Sequence, residues 1–220
     1  MDVDEFVCLF PRLYHMAERD SWASIREHGL LSTCALLDFF EVVGNERHSL
    51  ESARRPEGID LCHPDFGRAT LRDNKPMREE RLVESLMDGL VPRDWYEILN
   101  RRCFFWVREE RLHKLLKASA YRAKTHDVLT IDATTLVPAH LERIDLCPYN
   151  SGSTMPANPH RGLSTFMRMD DYPFQFHRTR NSQDPIVELT VEYSVPDIKD
   201  HTIQVRQMQG DTIERIVWER

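Results

Sequence analysis

The apolar positions of this chain change period several times, and each change marks an element. Near the start, Leu13-Tyr14-His15-Met16 reads as a short strand that ends in a histidine. Asp20 or Ser21 then stands where a capping side chain accepts a backbone N–H bond. Trp22, Ile25 and Leu30-Leu31 recur at roughly helical spacing, and Gly29 sits where a residue without Cβ suits the exit. The order predicted is strand, histidine, short amphipathic helix, tight exit. A histidine at a strand end, backed by a helix, is a good place for a fixed hydrogen-bond donor, which makes His15 the first residue to explain.

Further along, Leu36, Leu37, Phe40 and Val43 mark a second short helix within Thr33–Val43. Gly44 to Asn74, rich in Arg, Pro, Gly and His, reads as a loop with one helical turn around Ser49–Arg54. Pro76 to Leu90 is helical, and Pro92 starts another helix that runs through Leu99. Cys103-Phe104-Phe105-Trp106-Val107 is the clearest strand, followed by a helix from Arg108 to Tyr121 and a strand over Asp127–Asp132. His140 to Ile144 is a short strand or a turn. Pro148 to Gln183 is irregular, yet its aromatics Phe166, Tyr172, Phe174 and Phe176 argue against disorder. From Pro185 to Tyr193 the alternation is strict: Val187, Leu189, Val191 and Tyr193 share one face, and Glu188, Thr190 and Glu192 the other. Thr202–Gln207 and Ile213–Trp218 read as closing strands.

Composition narrows the class. At 220 residues, one domain spanning 1–220 with a long functional loop at about 148–184 is the expectation. A hydrophobic fraction of 41% supports a core, and no apolar run approaches the ~18–20 residues that cross a bilayer. The acidic start Met1-Asp2-Val3-Asp4-Glu5 does not resemble a secretory signal, so a cytoplasmic protein is expected. The five cysteines are odd in number and lack a C-x-x-C pair, which disfavours a disulfide framework or a zinc site. The net charge of −7 argues against broad nucleic-acid binding but leaves room for a local basic groove. Two segments are locally basic: Arg68, Arg72, Lys75, Arg78 and Arg81, and then His160, Arg161, Arg168, His177, Arg178 and Arg180. Ordinary solvated charge explains either one alone.

Standard catalytic motifs are missing. There is no glycine-rich dinucleotide fingerprint, Ser151-Gly152-Ser153-Thr154 has no Lys for a phosphate loop, and no G-x-S-x-G elbow occurs. The residues themselves leave His15 open between a packed structural histidine and a ligand group. They leave Glu188 open between a solvent-facing strand carboxylate and a functional one, with Glu192 as its rival.

Two segments together resemble the ADP-ribosyltransferase superfamily. The opening Leu13–Ser32, LYHMAERDSWASIREHGLLS, is similar to the first motif of the branch that holds the DarT toxins and the tRNA 2′-phosphotransferases. It also resembles a family of uncharacterised bacterial proteins with the same opening. The late strand DPIVELTVEYSVPDI, Asp184–Ile198, resembles that branch's glutamate strand. The resemblance implies an α+β fold with a split, mostly antiparallel sheet and flanking helices. It implies NAD as substrate with no metal, and transfer of ADP-ribose to a macromolecule, a nucleic acid first and a protein second. Glu188 is then the catalytic glutamate. His15 positions the nicotinamide ribose, with Tyr14, Arg72 and Tyr121 completing the NAD site, and Tyr121 packs on nicotinamide or else closes its helix into the core. Arg178 and Arg180, in the loop before the glutamate strand, meet the acceptor. Such enzymes are often toxins or phage-defence effectors, so an antitoxin or immunity protein is an implied partner.

The chemistry needs these residue types. Breaking the nicotinamide–ribose bond develops oxocarbenium-like charge, which a nearby carboxylate stabilises, and the same carboxylate can serve as base toward the nucleophile. A strand-end histidine holds ribose hydroxyls in a reactive pose. The alternatives in the same class are an NAD glycohydrolase and a 2′-phosphotransferase. The alternative outside it is a catalytically inactive transferase-like binding domain.

Overall fold

The computed structural model describes residues 1–220. Its helices are α1 (Val3–Leu9), α2 (Trp22–His28), α3 (Thr33–Phe39), α4 (Gly44–Ser52), α5 (Glu79–Ser85), α6 (Pro92–Asn100), α7 (Glu109–Leu116), α8 (Ala133–His140), α9 (Phe174–Arg180) and α10 (Ile198–His201). Its strands are β1 (Arg12–Glu18), β2 (Leu30–Leu31), β3 (Ile59–His63), β4 (Gly67–Leu71), β5 (Arg102–Trp106) and β6 (Thr125–Asp132). They continue with β7 (Ile144–Cys147), β8 (Met167–Arg168), β9 (Glu188–Glu192), β10 (Ser194–Val195), β11 (Thr202–Gln209) and β12 (Thr212–Glu219).

Eight strands form one antiparallel sheet in the order β12-β11-β6-β1-β5-β9-β7-β8. The protein is therefore α+β, with a large antiparallel sheet and flanking helices. The largest core cluster joins the sheet, through Leu13, Phe105, Leu129 and Leu189, to Phe6 of α1, Trp22 of α2, Leu136 of α8 and Ile198 of α10. Beneath β1, β6 and β11, Met16, Val128 and Met208 meet Leu112 and Leu116 of α7. A separate cluster packs α5 and α6, through Leu82, Trp95 and Tyr96, against Cys147 and Phe166.

The sheet has one weak seam. β1 pairs with β6 along its whole length, from Arg12 opposite Asp132 to Glu18 opposite His126. On its other side β1 meets β5 at a single registered pair, Tyr14 opposite Trp106. β5 then pairs with all of β9. The two halves of the sheet part beyond that pair, and a cavity opens there.

Several elements depart from the expectations. The segment 44–74 holds α4 and a β3–β4 hairpin, which buries Leu61 and Leu71 against Leu37, Phe40 and Leu50. Charged and polar residues interleave with those few apolar positions and mask the alternation. Within 140–144, read as a short strand or a turn, His140 ends α8, Leu141–Arg143 form a single 3-10 turn and Ile144 starts β7; α8 itself tolerates the internal Pro138 and is capped by Asp132, whose Oδ1 accepts from the Thr134 N–H at 3.1 Å. Residues 148–184, read as one irregular loop, contain β8 and α9. The start of α2 is capped neither by Asp20 nor by the Ser21 side chain. Its Trp22 N–H donates to Oδ2 of the fully buried Asp127, 3.0 Å away on β6.

Candidate active-site cavity

A cavity of about 410 Å³ sits at the seam, within the range of small-molecule sites. Its walls come from β1, α2, α3, β4, β5 and the residues after β7, and they include His15, Arg72, Tyr121 and Glu188. Paired residues on antiparallel strands share a face, so Glu188 lies on the side of its partner Trp106. His15 alternates to the side of Leu13 and Ala17. The parted seam lets one cavity reach both.

His15 is held in one protonation state. Its Nδ1 lies 2.8 Å from the carbonyl oxygen of Phe104 on β5. A carbonyl only accepts, so Nδ1 carries the proton and the unbonded Nε2 is an acceptor. Burial, with Arg72 adding to it, depresses the imidazole to about 4. The sequence expectation of a donor is thus half right: the donated proton goes to the protein, and the nitrogen left free accepts.

Glu188 starts β9 and is 4% exposed. Of the two readings left open for Glu188, the solvent-facing one fails, because β9 lies between β5 and β7 and is covered on both faces from Glu188 to Val191. Glu192, its rival, is exposed and faces Arg101. One oxygen of Glu188, Oε2, accepts from both the N–H of Ser151 at 3.1 Å and its Oγ–H at 2.7 Å. The other, Oε1, has no hydrogen-bond partner, and no cation pairs with the group. Burial pushes the carboxyl up to about 7, with the Ser151 bonds opposing the rise.

The remaining candidates are distributed unevenly. Tyr121 lines the cavity but is 4% exposed; its hydroxyl donates to Asp73 Oδ1 at 2.9 Å, and the Arg72 guanidinium covers its ring at 5.3 Å. So enclosed, it forms a wall and offers little free face for stacking. Arg72 lines the cavity too, donating to the Met16 carbonyl at 2.6 Å beside Glu18 at 3.6 Å. Tyr14 lies outside the cavity, although its registered partner Trp106 lines it; its own side chain packs with the α7 cluster. Arg178 and Arg180 sit on exposed α9 and do not line the cavity; Arg180 covers the ring of Phe176 instead. Within the two basic segments, Arg68 pairs with Asp60, Lys75 with Glu57, and Arg161 is fully buried, while Arg68 and Arg72 line the cavity.

Sequence reasoning missed Ser151, which was considered only as part of a failed phosphate loop. It also missed what Gly29 does. A Cβ there would lie 2.6 Å from Pro196 Cα and 2.9 Å from the Val195 carbonyl oxygen. The exit of α2 and the segment after β9 are therefore pressed together, and the β2–β10 ladder joins them. The glycine of the first motif and the proline of the second meet across the fold.

A separate ionisable group lies elsewhere. His140 Nε2 and His201 Nε2 approach the two oxygens of Asp197 at 2.8 and 3.2 Å. Arg143 Nη2 stands 2.6 Å from His140 Nδ1. A guanidinium only donates, so that nitrogen is bare and Nε2 carries the proton to Asp197. A metal-bound histidine ordinarily donates from its second nitrogen, so these protons suit a hydrogen-bonded latch between α8 and α10 rather than a metal centre.

These features define an α+β protein with a ligand-sized cavity where its sheet parts. Residues 11–202 match the model of a family described as a family of unknown function (DUF7002), and the chain belongs to that family. No curated protein matches it.

Proposed function

We propose that the protein is an NAD-dependent ADP-ribosyltransferase that modifies a macromolecule, with a nucleic acid as acceptor. The observation that carries this reading is the convergence of His15 and Glu188 on one cavity. They come from motifs more than 170 positions apart in the chain. A bare imidazole nitrogen and an unpaired carboxylate oxygen both accept hydrogen bonds, which suits a ligand rich in hydroxyl donors, such as a ribose. The choice of acceptor rests on the sequence resemblance alone.

In this scheme Nε2 of His15 accepts from a ribose hydroxyl and fixes the sugar. The bond between C1′ of the ribose and the nicotinamide nitrogen breaks, and nicotinamide leaves with the electron pair. The positive charge that develops on the sugar is stabilised by ionised Glu188. A nucleophilic N or O of the acceptor then bonds to C1′ and gives its proton to the same carboxylate. Being neutral, His15 adds no positive charge beside the cationic centre.

Nicotinamide release from NAD by the purified protein tests this, measured with DNA, RNA, protein lysate or buffer alone. Acceptor-dependent release with nucleic acid, lost by at least a hundredfold in Glu188→Gln, is the expected result. Release in buffer alone identifies a glycohydrolase, and lysate-protein labelling identifies a protein acceptor. No release from folded protein under any condition overturns the reading in favour of a binding domain.

A further inference from the structure

The treatment of Glu188 by its neighbours carries an inference of its own. β7 ends at Cys147, directly opposite Glu188 on β9. The chain then turns through Pro148–Asn150 and lays Ser151, which is 0% exposed, over the carboxylate. Both donors of that one residue converge on the same oxygen, Oε2. A carboxylate that accepts two such bonds is favoured in its charged form. No arginine or lysine takes that part: Arg161 and Arg111 act on Glu188 only through space.

The turn that carries Ser151 is itself anchored. The buried guanidinium of Arg161 donates to the Ser153 carbonyl, to the Pro159 carbonyl at 2.7 Å, to Asn158 Oδ1 at 2.9 Å and to Ser85 Oγ at 3.1 Å. Thr154 Oγ1 accepts from the Arg78 N–H at 2.9 Å. The segment after β7 is therefore tied to α5 on one side and to the carboxylate on the other. A side chain on so constrained a turn loses little freedom in making its bonds, which is the condition for positioning another group.

We propose that Ser151 is a positioning residue for Glu188: it grips Oε2 with two donors, favours the charged form of the buried carboxylate, and leaves Oε1 as the one oxygen presented to the cavity. Its role in turnover rests on the transferase reading, but its hold on the carboxylate does not.

The two are separable by experiment. In protein carrying ¹³C-labelled glutamate, the Glu188 carboxyl signal is assigned by its loss in Glu188→Gln and titrated by NMR. Removing the hydroxyl in Ser151→Ala is expected to raise the midpoint by about one to two pH units, the worth of one hydrogen bond to a charged group. Ser151→Thr, which keeps a hydroxyl, is expected to restore the wild-type midpoint. Ser151→Cys, close in size with a weaker donor, gives an intermediate value and serves if the alanine variant does not fold. An unmoved midpoint in folded Ser151→Ala or Ser151→Cys overturns the proposal. Nicotinamide release over the same pH range supplies the second readout. Its acid limb should move up in step with the midpoint in Ser151→Ala, and Ser151→Thr should restore it. A shifted midpoint with no release from any variant supports the grip of Ser151 and overturns the transferase reading.

Discussion

The Nδ1–H of His15 donates to the carbonyl of Phe104 across the seam where β1 and β5 otherwise part. That bond does two things at once. It bridges a gap in the sheet ladder, and it decides which nitrogen of the ring the cavity meets.

The tautomer can be read directly. Long-range ¹H–¹⁵N correlation spectra should show His15 protonated at Nδ1 and bare at Nε2 from pH 8 down to about 5, because its folded value lies near 4. A lowered histidine value means stability that is present above the ordinary value of about 6.5 and is lost as pH falls towards 4. His15→Phe should remove that acid sensitivity, and on the proposed transferase reading it should also weaken NAD binding by about tenfold or more.

Glu188 has the opposite sign. Its folded value, about 7, lies above that of a free glutamate. The stability associated with it is complete at pH below about 4.5 and is lost as pH rises through 7. Glu188→Gln should therefore be more stable than wild type at pH 8, by on the order of 1–3 kcal/mol, and should lose that advantage at pH 5. Chemical denaturation at the two pH values checks this. Equal destabilisation at both would mean that burial does not raise the carboxyl.

Tyr121 separates wall from platform. Its ring is enclosed by Arg72, and its hydroxyl bonds Asp73. Tyr121→Phe should cost about 1 kcal/mol of stability through the lost bond and leave nicotinamide release within a few-fold of wild type. A hundredfold loss of release at unchanged stability would instead make the hydroxyl part of the chemistry.

Gly29→Ala tests the contact between the two motif segments. The backbone there has φ +86°, and the added methyl would meet main-chain atoms of Val195 and Pro196. A loss of about 2–3 kcal/mol is expected, visible as a lower midpoint in urea. Asp127→Ala should cost a similar amount, since it uncaps α2 and leaves Gln207 without one of its acceptors.

How far the sequence reveals this protein depends on the range over which each signal acts. β5, β6 and the opening of α2 were legible because their apolar runs and stop signals are local. The cap of α2 was not, since its acceptor, Asp127, lies 105 positions away from Trp22. Alternation marked Glu188 as one face of a strand but could not say that a neighbouring strand and the Ser151 turn cover that face. Alternation could not have excluded Tyr14 either, because His15 and Met16, from opposite faces of β1, both line the cavity. The β3–β4 hairpin stayed hidden because its few inward residues are spaced among charges. Ser151 carried no signal at all, as its partner is 37 positions distant and serine is ordinary in a turn.

The seam in the sheet also bears on how the chain assembles. One half of the sheet takes β1, β6, β11 and β12, and the other takes β5, β7, β8 and β9. In chain order the backbone passes between halves four times, from β1 to β5, back to β6, out to β7, and home to β11. Neither half is a continuous stretch of sequence, so no simple truncation yields it. During synthesis β6 has a bare edge until β11 emerges some seventy residues later. The sheet can therefore be completed only after β11 has emerged, and the cavity only after β9 brings Glu188 to it.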